Sequence, residues 1–289
     1  MGLSEKTYNL LLQKGIEAAI EAGKLILNFD RKALKVEKKD EFQSYATQVV
    51  TEVDFQSQEK ILEILTPTIL KYDLGLLTEE SQDNESRLKK DFFWCIDPMD
   101  GTLSYIEGND GFSVSIALVN KAGKSIMGII YNPKTDNLYY NSYDNKLYKN
   151  NKPFQIPIRD HELTFVFDKG FLKHKNFDTV LGYFEKLNYP KPTIVAHGGA
   201  CMNAIWVLES KSRAAYFKLP KKTKGGGSLW DFAASSALFN RKKLFVSDIK
   251  GMRLNMNKTS SYFNQEGIIY TNDPTLMNDI ILLHEILSH

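Results

Sequence analysis

Two hundred and eighty-nine residues are too many for a small peptide-binding module and fit one large domain or two closely packed ones. Hydrophobic residues make up 43% and charged residues 25%, and 37 Lys and Arg against 35 Asp and Glu leave a net charge of +2. That balance excludes a strongly basic nucleic-acid coat and a long acidic tail, and two cysteines, Cys95 and Cys201, are too few for a disulfide framework.

The N-terminal segment carries Glu5, Lys6, Lys14, Glu17, Glu21 and Lys24, which interrupts any apolar leader. No window approaches 18 consecutive apolar residues, so neither a membrane span nor a membrane partner is expected, and the location expected is cytoplasmic. Leu11, Leu12, Ile16, Ala19, Ile20, Gly23, Ile26 and Leu27 recur at helical spacing and predict one amphipathic helix over 4–29. A basic stretch at 31–39 reads as a solvated connector. A second helix is expected from about Thr51 until Pro67 stops it. Residues 74–77 and 92–96 read as short buried strands, and 112–119, 126–131 and 137–148 as successive strands with Gly, Asn and Pro turns between them. Beyond a polar, proline-bearing boundary at 151–157, strand and helix alternate through 163–167, 177–187, 193–196, 202–208 and 214–217. A helix over 230–239 and a strand over 267–271 follow. These patterns predict an N-terminal α+β unit over 1–152 and a C-terminal α/β unit over 153–289.

Chemistry gathers at Trp94-Cys95-Ile96-Asp97-Pro98-Met99-Asp100-Gly101-Thr102, where an apolar strand runs into two aspartates three residues apart. Pro98 fixes its own φ and Gly101 accepts any conformation that a tight turn requires. Such a turn aims Asp97 and Asp100 at one point, beside the Gly101 and Thr102 amides, and a helix starting there adds its positive end, which suits a phosphate. Pro-x-Asp-Gly is also good turn chemistry without any ligand. Glu79 and Glu80 follow the strand at 74–77. Ser228 and Asp231 open a helix with capping-box spacing, as do Thr51 and Asp54. Taken singly, each cluster has a local structural account. Together they do not: two carboxylates ~4 Å apart repel by ~4 kcal/mol at an effective dielectric of 20, so a converging set needs cations or protons. Oxygen donors alone favour Mg²⁺, Mn²⁺ or Ca²⁺ over zinc. His197 and Cys201 stand four apart, but no further Cys or His lies at zinc-ligand spacing. Neither glycine run, Gly198-Gly199 or Gly225 to Gly227, makes a dinucleotide fingerprint.

The order acidic pair, Asp-Pro-x-Asp-Gly-Thr, Trp-Asp-x-Ala resembles the inositol monophosphatase superfamily of Mg²⁺-dependent, lithium-sensitive phosphatases. Here it reads Glu79-Glu80, Asp97 to Thr102, and Trp230-Asp231-Phe232-Ala233. Thr78 stands where a glycine usually precedes the acidic pair, and the segment before Trp230 is longer and more basic than in inositol monophosphatases. The resemblance implies a layered α-β-α-β-α sandwich, α+β in class, and a phosphomonoester hydrolase. It implies that Glu79, Asp97 and the Met99 carbonyl hold one Mg²⁺ and that Asp97, Asp100 and Asp231 hold a second, with Glu79 reaching a weaker third. Thr102, oriented by Asp54, and Glu79 would position the attacking water, and the Gly101 and Thr102 amides would bind phosphate oxygens.

On substrate, the inositol monophosphatases carry a glutamate shortly before Trp-Asp. This chain has Lys218, Lys221, Lys222 and Lys224 there and no acid. Ammonium groups suit a second anion. The segments 111–118 and Leu254-Asn255-x-Asn257-Lys258 also resemble 3′(2′),5′-bisphosphate nucleotidases. The expectation is therefore removal of the 3′-phosphate from 3′-phosphoadenosine 5′-phosphate, with Lys221, Lys222 and Lys224 meeting the spared phosphate. Inositol-1-monophosphatase is the first alternative, and a non-catalytic sugar-phosphate or nucleotide binding protein on the same fold the second. The expected partner is a small phosphorylated substrate and no nucleic-acid polymer, acting on a monomer or homodimer.

Overall fold

Side-chain parity along two central strands fixes the architecture. In the computed structural model, which describes residues 2–29, 43–221, 227–241, 243–263 and 265–288 (43–51 by backbone alone), strand β2 (Phe92–Asp100) lies between β1 (Gly75–Thr78) and β3 (Ser113–Asn120). Trp94 and Ile96 of β2, with Val114, Ile116 and Leu118 of β3, face Leu11, Ala18, Ala22 and Ile26 of helix α1 (Glu5–Asn28) and Val53, Ile61 and Leu65 of helix α2 (Gln43–Tyr72). Phe93, Cys95, Ala117 and Val119 alternate to the other face. There they meet helices α6 (Ala200–Glu209) and α7 (Leu229–Phe239), and through them Tyr216 and Tyr270 of a second sheet.

The first sheet continues through β4 (Ser125–Asn132), β5 (Asn137–Asn141), β6 (Leu147–Lys149) and β7 (Lys152–Pro153) in sequence order; only β1 pairs parallel, with β2. The second sheet runs β11 (Phe245–Ser247), β12 (Ile268–Thr271), β10 (Arg213–Lys218), β8 (Leu163–Val166), β9 (Thr193–Val195). Its outer face packs Phe165, Phe217 and Ile269 against Val180 and Phe184 of α5 (Phe177–Lys186) and Ile280 and Leu283 of α8 (Pro274–Ser288). Two short helices, α3 (Ser86–Lys89) and α4 (Thr102–Ile106), flank β2. The order of layers is α-β-α-β-α, as the resemblance implies.

Three local expectations are corrected. Pro67 does not stop the second helix but lies inside α2. It has no N–H to bond back one turn, and the neighbouring hydroxyls of Thr66 and Thr68 donate to the carbonyls of Leu62 and Leu65, each at 2.6 Å. Residues 137–148 are two strands, because Asn145 turns the chain at φ 60°. Asp97 and Asp100 are not beyond a strand but on it: β2 reaches Asp100, and its register with β3 slips between Asp97, opposite Ser115, and Asp100, opposite Ser113. The basic stretch 31–39 lies outside the described residues. Among those described, no helix is long and apolar enough to cross a membrane.

Candidate active site

The register slip at Pro98-Met99 is what brings Asp97 and Asp100 to one side of the sheet. In an unbroken strand, residues three apart point to opposite faces. The Asp97 carboxylate accepts the Met99 amide at 3.0 Å, and the Ser57 hydroxyl holds the Pro98 carbonyl at 2.8 Å. Gly101 then turns the chain at φ 92° into α4. A Cβ there would lie 2.5 Å from the Gly111 carbonyl, so this position requires glycine. No side chain caps α4, which leaves its first amides without a side-chain partner.

Asp231 arrives from the first turn of α7. One of its oxygens accepts the Ser228 amide at 2.6 Å, so the capping account is right as far as it goes. Asp97, Asp100 and Asp231 nonetheless each present an oxygen within 4.8 Å of the other two. No other such group of acids, histidines or cysteines occurs among the described residues. Asp100 is fixed by a contact that sequence reading missed: its two oxygens accept the Ala200 and Cys201 amides at 2.9 and 2.7 Å, capping α6 from outside. The N-cap of α6 is Gly199, which has no side chain to do this, and a Cβ on Gly199 would stand 2.5 Å from an Asp100 oxygen. Cys201 Sγ donates to the Asp231 carbonyl at 3.3 Å, while His197 pairs with Asp110 at 3.1 Å, so these two residues make no zinc set.

Helix α2 supplies the remaining wall. Asp54, Ser57 and Gln58 stand at i, i+3 and i+4, on one face. Gln58 holds the loop that carries the acidic pair: its carbonyl accepts from the Thr78 hydroxyl and the Glu80 amide, and its amide donates to Ser81 at 2.8 Å. Glu79, on the solvent-facing rim, turns its carboxyl toward Asp97 and the Trp230 side chain. Asp54 is buried, and its Oδ1 meets no hydrogen-bond partner among the described residues. No hydrogen bond joins it to Thr102, whose hydroxyl lies 3.5 Å from the Met99 carbonyl. Lys218, at the end of β10, pairs with Asp168 at 2.7 Å and draws the Asp231 pKa down, against the burial that raises it. Lys221 is exposed. Lys222 and Lys224 lie outside the described residues.

Electrostatics states what the cluster lacks. Burial first, and neighbouring acids second, push Asp100 and Asp54 up to about 8 and Glu79 up to about 7, and Asp97 well above the usual carboxylate range. Acids coupled to one another in this way are neutralised either by protons or by bound cations. Their donors are all oxygen, and one buried oxygen is left unpartnered, which fits a hard divalent ion.

The segment Asn255-x-Asn257 lies elsewhere. Asn257 bonds the carbonyls of Arg87 and Lys121 beside the start of β2, about 17 Å from Asp97 by strand length.

A model of the inositol monophosphatase family matches residues 9–282. The 3′(2′),5′-bisphosphate nucleotidase CysQ of Salmonella typhimurium is 28% identical over 221 residues, which cover 74% of this chain and 82% of the relative. An inositol-1-monophosphatase of Mesorhizobium japonicum is 26% identical over 209 residues, covering 70% and 73%. The structure of an inositol monophosphatase from Zymomonas mobilis superposes with a TM-score of 0.72 at 20% identity, over 96% of this chain and 98% of that one. The layers, the acidic cluster and the extent of the match lead to one conclusion: the chain belongs to the inositol monophosphatase family and is a metal-dependent phosphatase.

Proposed function

We propose that this phosphatase is a 3′(2′),5′-bisphosphate nucleotidase, converting 3′-phosphoadenosine 5′-phosphate to AMP and phosphate. Glu79, Asp97 and the Met99 carbonyl would hold one Mg²⁺, and Asp97, Asp100 and Asp231 a second, with a third reached by Glu79. Bound there, Mg²⁺ acidifies water and screens the charge of a phosphate dianion, which otherwise repels a nucleophile. The chain's own groups do the rest. Glu79 and Thr102, with Asp54 behind them, position the attacking water. The amides of Gly101 and Thr102 take the phosphate oxygens. Attack by that water would displace the alcohol directly, with no covalent intermediate on a side chain.

The observation that carries the substrate assignment is the cationic run between β10 and α7. Lys218 already acts on the charge of Asp231, Lys221 is exposed behind it, and no acid stands in the run where an inositol-binding glutamate would be. A relative whose name states the bisphosphate nucleotidase activity supports the same reading. The test compares kcat/KM for 3′-phosphoadenosine 5′-phosphate and inositol 1-phosphate, in the wild type and in a Lys221→Ala, Lys222→Ala, Lys224→Ala variant. The bisphosphate should be preferred, and the variant should raise its KM by roughly tenfold or more, the scale of one charge-assisted bond, with a smaller effect on inositol phosphate. Preference for inositol phosphate, or equal effects on both, moves the assignment to inositol-1-monophosphatase. Absence of phosphate release from either substrate with Mg²⁺ leaves a binding protein.

A further inference from the structure

A sizeable cavity lies away from the acidic cluster. It is a cleft of about 440 Å³ at the opposite end of the first sheet, and a smaller one of about 170 Å³ adjoins it, sharing Lys124, Ser125 and Asn240. A volume of 440 Å³ falls within the range of small-molecule sites.

Its walls have a consistent chemistry. The rings of Tyr8, Phe92 and Tyr143 line one part, with Tyr8 and Tyr143 edge to face at 5.5 Å. Four asparagines and two serines line the rest beside small and apolar residues, and no acidic residue is among the described lining. Lys124, exposed at the rim, pairs with no acid among the described residues. Ser125 is 5% exposed and its hydroxyl has no hydrogen-bond partner among the described residues. Aromatic walls, neutral donors and acceptors and one free cation fit a ring-bearing small molecule with a single anionic group.

Position gives the cleft a consequence. Phe92, in its wall, is the first residue of β2, the strand that ends in Asp97 and Asp100. Ala237 and Asn240, also in its wall, lie at the far end of α7, the helix whose first turn carries Asp231. The strand carries about 17 Å from Phe92 to Asp97 and the helix about 14 Å from Asn240 to Asp231. Two rigid elements thus connect one cleft to all three members of the acidic cluster. Closing the cleft on a ligand would pull on both together.

We infer that this cleft between the N-terminal helix, the β3–β4 turn and the end of α7 is a regulatory site for a small, ring-bearing monoanion. The probe is 1-anilinonaphthalene-8-sulfonate, a fused-ring sulfonate whose fluorescence reports binding, added to the full chain with Mg²⁺. One saturable site is expected, undisplaced by inorganic phosphate, with a change in kcat at saturation and little change in KM. Lys124→Glu and Tyr143→Ala, both at exposed positions outside the catalytic machinery, should each weaken binding by about tenfold and leave basal activity unchanged, while Lys124→Arg retains binding. Circular dichroism and basal activity verify that the variants fold. Displacement by phosphate, equal binding in all variants, or binding without any effect on kcat would overturn the inference.

Discussion

At the scale of single residues, the acidic cluster trades stability for a cation site. Asp97, Asp100, Asp54 and Glu79 all titrate above their unfolded values, to about 8 for Asp100 and Asp54 and about 7 for Glu79. A carboxyl whose folded pKa is raised keeps its proton in the native state after the unfolded chain has lost it. The native state then binds more protons, and stability falls as pH rises between the two values. The metal-free protein should therefore lose thermal stability from about pH 4 to about pH 8 and level off above, and Mg²⁺ should restore it most at the alkaline end. Thermal melts across that range, with and without Mg²⁺, check this; a metal-free melting temperature that rises toward pH 8 would contradict it. Asp97→Asn removes one of the charges while keeping an acceptor for the Met99 amide. It should raise the metal-free melting temperature at pH 8 and cost at least about a hundredfold in turnover, since even outer-shell changes at metal sites cost 10–100-fold. A variant that lost activity only by unfolding would make Asp97 a structural residue.

At the scale of elements, the chain is legible where periodicity alone decides and opaque where a distant partner does. The α1 stripe and the helix at Trp230 are written in apolar spacing, and the structure has both. Pro67 misleads because helix breaking is a local rule, and here the following Thr68 is tied into the core by the Trp94 indole at 3.0 Å. The three motifs carrying the acids were visible, yet their supports were not. Gln58 and Ser57 read as ordinary polar helix residues, and the amides of Ala200 and Cys201 leave no side-chain signal at all. A pair of glycines before an apolar helix was the one available hint. Arg87 is another such case: it looks like a surface residue of a four-residue helix but is 1% exposed. It pairs with Asp83 at 2.8 Å and donates to Asn257, Lys258 and Thr259, fastening the 254–259 segment to the start of β2. Arg87→Ala leaves those acceptors unpaired in a dry site and should cost roughly 3 kcal/mol. Chemical denaturation measures the loss; kcat/KM should remain near wild type, because the segment is about 17 Å from Asp97 by strand length. A variant with normal stability and lost activity would place the segment in the active site after all.

At the scale of the whole molecule, the two sheets share α6 and α7, and the site forms where that shared layer meets the end of the first sheet. Asp97 and Asp100 come from the first sheet and Asp231 from the shared layer, while the α6 amides lock Asp100 in place. No single unit of the fold contains the cluster, which accounts for acids spread from position 54 to position 231 in the sequence. A buried acidic cluster of this kind makes the metal indispensable, and the release of inorganic phosphate from a phosphomonoester by chelator-stripped protein tests this most directly. Activity should vanish on stripping and return as Mg²⁺ is added back, with Asp231→Asn failing to recover; full activity in the metal-free protein would mean that the cluster acts without a cation.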